Sequence, residues 1–135
     1  MVYGAAWKGN PLQLFSVRLG SVDSRPLGLP SADLLSISSS GEMAISTGRH
    51  YTVGWNNSGK LARVALDGQV PREVLDDVLC ADWSPDGRSL ALVRSVAGRY
   101  RLEYPAGTVL YETSGWISDA RVSPDGQTVA FLRCV

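Results

Sequence analysis

Gly54-Trp55-Asn56-Asn57-Ser58-Gly59-Lys60-Leu61 fits the first seven positions of a phosphate-binding loop. In such a loop glycine backbone N–H groups wrap a polyphosphate and the lysine reaches its far end. The eighth position must offer a Ser or Thr hydroxyl to Mg²⁺, and here it is Leu61. The residues that follow read as a strand, whereas phosphate needs the N-terminus of a helix. The stretch is therefore read as a hairpin loop. His50 is the only histidine, so a Ser-His-Asp triad would have to use it. No Gly-x-Ser-x-Gly elbow accompanies it, and a turn or strand-end role is the better reading. Metal sites built on His or Cys are short of ligands. Asp86 and Asp125 could bind Ca²⁺ if turned into a channel, but Asp in their sequence context normally bonds its own turn. Asn56-Asn57-Ser58 matches a glycosylation sequon and nothing more. Cys80 and Cys134 are too few for a disulfide framework and read as one buried small hydrophobe and one terminal thiol. No catalytic, metal or cofactor-binding residue is assigned, and no cofactor is expected.

Both aspartates sit in the same four-residue sequence, Ser84-Pro85-Asp86-Gly87 and Ser123-Pro124-Asp125-Gly126. Ser suits the first position of a tight turn, Pro pre-sets φ for the second, Asp tolerates the third and Gly closes it. An apolar segment lies on each side (78–83 before and 90–93 after the first copy), which is the pattern of a β-hairpin. The segment after the turn is apolar at every position, as in a strand covered on both faces. Residues 81–94 and 120–133 are identical at seven of fourteen positions. Ile37-Ser38-Ser39-Ser40-Gly41-Glu42-Met43-Ala44-Ile45 is a degenerate third copy that keeps Ser and Gly and lacks Pro and Asp.

The period is 39 residues, from Gly87 to Gly126, and Gly68 and Gly107 repeat at the same spacing. Four strands in ~40–45 residues is the spacing of a propeller blade. The chain is expected to be an all-β propeller portion of four-stranded antiparallel blades, about three in number. The reading divides it into a partial blade at 1–33, blades at 34–77 and 78–116, and a partial blade at 117–135. It begins and ends on a second strand. Closed propellers hold typically four to eight blades, so two open flanks are expected to be closed by a second copy, giving six blades in a two-fold homodimer, or by further sequence.

Composition is consistent with this and excludes other classes. With 135 residues the chain is one domain, and 14 Gly and 7 Pro suit a turn-rich β protein. Thirteen basic against thirteen acidic residues give no electrostatic case for nucleic acid or anionic membrane. No run approaches the ~18–20 apolar residues of a membrane span. No signal peptide is visible, so the chain as written is expected in the cytoplasm. Trp7, Trp55, Trp83 and Trp116 are expected in inter-blade packing, with one or two of them exposed at the rim.

Positions 84–93 and 123–132 closely, and 38–45 loosely, resemble the WD-like β-propeller repeats of the TolB type. The hallmark of those repeats is a Ser-Pro-Asp-Gly turn before an apolar strand with a central Ala. The 37–46 and 63–85 stretches look most like propeller sensor regions attached to bacterial serine/threonine kinases and regulators. Related propellers are often periplasmic. The resemblance implies a non-catalytic scaffold that binds protein or peptide, and it carries over no catalytic residue. Loops 48–60 and 95–99 are the expected binding loops. The alternative is the accessory propeller of a hydrolase or peptidase whose catalytic domain lies elsewhere.

Overall fold

Twelve strands and no helix form the structure, a computed structural model that describes residues 1–51, 57–68 and 70–134, with His50 and Tyr51 described through their backbone alone. In chain order the strands are β1 (Val2–Ala5), β2 (Gln13–Val17), β3 (Ser24–Pro30), β4 (Ala32–Ile37), β5 (Glu42–Tyr51) and β6 (Asn57–Ala65). They continue with β7 (Arg72–Trp83), β8 (Leu90–Val96), β9 (Arg99–Glu103), β10 (Val109–Thr113), β11 (Ile117–Val122) and β12 (Val129–Arg133). All the pairings are antiparallel. The chain is all-β, as its alternating and two-sided apolar segments predict.

The strands make three sheets: β1-β2-β3, a seven-stranded sheet ordered β10-β9-β8-β7-β6-β5-β4, and the pair β11-β12. The seven-stranded sheet differs from the expected separate four-stranded sheets. The expected boundary between 77 and 78 lies inside β7. Residues Arg72, Glu73 and Leu75 of that strand pair with β6, residues Cys80 to Trp83 pair with β8, and Val78 pairs on both sides, with Gly59 and with Arg94. Asp77, at φ 57°, turns the strand at the changeover, and Asp is among the few side chains that tolerate this left-handed conformation. Ser31, at φ 52°, makes the equivalent turn between β3 and β4.

The central strands β5, β6 and β8 are covered on both sides, which explains why they read as continuous apolar runs. Leu14 and Leu29 of the first sheet pack on Met43, Ile45, Ala62 and Val64. Ala44 and Leu61 point the other way, onto Val78, Trp83, Leu90 and Leu92. Val93 and Leu102 meet Ile117 and Ala120 of β11 in a third cluster. Alternate residues of β5, β6 and β8 thus belong to different cores, as the two-residue period of a strand requires. The leading strands β4, β7 and β11 lie side by side, joined by Asp82: its carboxylate accepts from Ser36 Oγ on β4 at 2.8 Å and from the Val122 N–H on β11 at 2.9 Å.

Candidate functional site

The two Ser-Pro-Asp-Gly sequences form the same hydrogen-bonded turn. Gly87 N–H donates to Ser84 O at 2.8 Å, and Gly126 N–H to Ser123 O at 2.9 Å. Ser84 Oγ donates to Asp86 Oδ1 at 2.6 Å and accepts from Ser89 N–H at 2.9 Å, while the same carboxylate oxygen accepts from Arg88 N–H at 3.1 Å. Ser123, Asp125, Gln127 and Thr128 repeat these bonds at 2.5, 3.0 and 2.9 Å. The donated hydroxyl first, then the backbone N–H, hold both carboxyl groups below the ordinary Asp range. Pro85 and Pro124 occupy the second turn position in each copy.

The degenerate copy keeps the scheme with other atoms. Ser38 Oγ and Ser40 Oγ lie 2.9 Å apart, so Ser40 stands where the aspartates stand, and Glu42 N–H donates to Ser38 Oγ at 2.9 Å. This copy is one residue shorter: Ser38 N–H bonds Glu42 O, four positions on, where Ser84 N–H bonds Ser89 O, five positions on. The three turns sit in file. A Cβ on Gly87 would lie 3.3 Å from Ser38 Cβ and Ser39 Oγ, and one on Gly126 would lie 3.5 Å from Pro85 Cδ. Gly87 also has φ 68°. Gly87→Ala is therefore expected to destabilise by about 1–2 kcal/mol, measured by urea unfolding; an unchanged midpoint would contradict the assigned turn.

The other sequence features fall as follows. Gly54, Trp55 and Asn56 lie outside the described residues, but Gly59, Lys60 and Leu61 are inside β6, so a strand stands where a phosphate loop needs a helix. The side chain of His50 is outside the described set. Of the expected binding loop 48–60, residues 48–51 lie in β5 and 57–60 in β6, and 52–56 lie outside the described residues. Loop 95–99 is smaller than expected. Val96 pairs with Arg99 across a two-residue turn, Ala97-Gly98, with φ 50° and 75°, and such a turn presents few side chains. Trp83 is buried, with the Arg63 guanidinium 4.9 Å from its ring centre, whereas Trp7 is exposed with its ring edge-on to Phe15. Both cysteines are free thiols. Burial pushes the Cys80 thiol up, against a backbone hydrogen bond from Ala120 and the charge of Arg121. Among the described residues no three of His, Cys, Asp and Glu converge as a metal site.

One cavity combines charge and apolar walls. It measures about 330 Å³ and opens between β4, β7 and β11, where Leu34, Leu79 and Trp116 meet Arg49, Asn57 and Arg121. Such a volume is at the small end of ligand pockets. Arg49 is held from two sides: Nη1 pairs with Asp33 at 2.7 Å and Nη2 donates to Leu79 O at 3.1 Å. Its Nε and the Asn57 Oδ1 are buried and have no hydrogen-bond partner among the described residues, a costly arrangement in a native fold unless something meets them. Arg121 Nη1 donates to Ala120 O at 2.9 Å, and among the described residues no carboxylate forms an ion pair with Arg121. Arg49 and Asn57 fall within the expected binding loop 48–60 and Trp116 is one of the expected packing tryptophans, but no spacing joins them to Leu34, Leu79 and Arg121, which come from strands far apart along the chain.

Comparison with protein-family models and with curated proteins finds no match to this chain.

Proposed function

We propose that this chain is a non-catalytic part of a TolB-type, WD-like β-propeller that presents a protein- or peptide-binding surface and closes as a homodimer. The observation that carries this reading is the succession β4, β7, β11. Each leading strand ends in a serine-anchored turn, and Asp82 ties the middle strand to its two neighbours. The three cores succeed one another in chain order, one between the first and the seven-stranded sheet, one between the two halves of the seven-stranded sheet and one between that sheet and β11, and this succession fits a radial arrangement. Asp86 and Asp125 commit carboxylate oxygens to their own turns, which suits a scaffold better than acid–base chemistry.

The closure follows from the unequal sheets. The β11-β12 pair would join β2 and β3 of a second copy to make a four-stranded sheet, with β1 or β12 displaced as redundant. Among the described residues β12 pairs only with β11, and its Leu132 is 61% exposed. Apolar strand edges of this kind demand a cover. Light scattering is expected to give twice the 14.5 kDa chain mass; a stable monomer would defeat the closed pair.

A further inference from the structure

We infer that the cavity between β4, β7 and β11 binds the carboxyl-terminal residue of a peptide carrying an apolar side chain. The inference deepens the interaction reading above and rests on it for the kind of partner.

The argument starts from charge. Arg49 is neutralised by Asp33 and pinned by Leu79 O, so it is a fixed wall and not a free cation. Arg121 is exposed and lacks a carboxylate partner among the described residues, yet lies at the same cavity. A guanidinium in that state offers a fork to a planar carboxylate. Asp119, also at the cavity, accepts from Ser118 Oγ at 2.6 Å. Its charge disfavours a simple anion and favours a ligand that also brings an N–H donor. Asn57 Oδ1, buried and without a partner among the described residues, is a second acceptor. A peptide end supplies both: a carboxylate for Arg121 and an amide N–H for an acceptor. Leu34 and Leu79, with the half-buried Trp116, give the side chain of that residue an apolar surface. A fatty acid would satisfy the cation and the wall and leave the acceptors unmet. A nucleotide phosphate would bring Asp119 against a higher negative charge.

The test uses N-acetyl-leucine on the whole chain, followed by the Trp116 indole signal in ¹H–¹⁵N spectra. N-acetyl-leucine is expected to shift that signal saturably, and N-acetyl-leucinamide, which lacks the charge, to bind about tenfold more weakly. Arg121→Gln, at an exposed position, is expected to weaken N-acetyl-leucine to a similar degree with the far-UV dichroism unchanged. 4-Methylpentanoate, which lacks the amide N–H, is expected to bind more weakly than N-acetyl-leucine. Equal binding of acid and amide, full binding by Arg121→Gln, or an unsaturable shift would overturn the inference, and equal binding of 4-methylpentanoate would overturn the peptide assignment. Solution mass is independent of all these arms, so failure of the pocket and failure of the closed pair are told apart.

Discussion

Gly59→Val is expected to cost about 3 kcal/mol or more, the upper range for forcing atoms into a packed site, and to lower Tm by roughly 10 °C or more. A Cβ at this position would run into Ser46 Oγ, would lie 2.8 Å from the carbonyl oxygen of Thr47, and would touch Arg49 Cγ at 3.0 Å. Serine can rotate, but the Thr47 carbonyl belongs to the backbone of β5 and cannot yield without breaking strand pairing. The register of β5 against β6 shifts between Thr47 and His50, opposite this glycine, so the strands meet here through a bulge and not through an even ladder. Gly59 is also the residue opposite Val78, where β7 changes partner. Damage at this point therefore reaches both neighbours of β6. Alanine already carries the offending atom and should destabilise in the same direction. Thermal unfolding of the two variants settles it: a Tm within a degree or two of the parent would show that the close approach does not exist.

Ile117→Ala is expected to cost about 2–4 kcal/mol, through lost burial and the hole left behind. Ile117 is fully buried and packs in the cluster formed by Leu79, Val93, Leu102 and Ala120. It stands six residues before its serine-anchored turn, as Val78 and Ala32 stand before theirs, and all three are almost wholly buried. Ile117 thus fastens the β11-β12 pair to the seven-stranded sheet together with Ala120 and the Asp82–Val122 bond. Ile117→Val should cost only about 0.5–1.5 kcal/mol, because one methylene is lost and the contact surface remains. Urea unfolding reads both values, and hydrogen exchange should show β12 amides losing protection first in the alanine variant. Equal stability of the alanine and parent chains would remove Ile117 from the core.

The elements were legible because they are signalled locally. A Ser-Pro-Asp-Gly sequence between two apolar segments specifies a turn whatever surrounds it, and the bonds of Ser84 and Asp86 are made within six residues. The degenerate copy was found for the same reason, since Ser40 supplies an oxygen where Asp would. The continuity of β7 was not legible. Asp76 and Asp77 carry two charges in the middle of it and read as a break, and only the pairing with β6 on one side and β8 on the other shows that the strand continues. Loop 95–99 was overestimated because Ala97 does not announce a left-handed turn residue, though Gly98 beside it does. The link made by Asp82 escaped notice because a lone acid in an apolar strand has no periodic signature. Loop 48–60 holds Arg49 and Asn57, but the cavity they share with other strands was not legible for a related reason: Arg49 reaches Leu79 across thirty positions, and no spacing rule connects them.

β7 also limits how the gene for such a chain can be rearranged. A strand that serves β6 with its first half and β8 with its second can be divided at the junction, where each half keeps its partner, but not within either half. A duplicated, transplanted or circularly permuted unit can therefore begin at residues 77 and 78, where only the double pairing of Val78 is given up. The serine-anchored turn at Ser84 is a further cut point, because β7 and β8 stay paired across it.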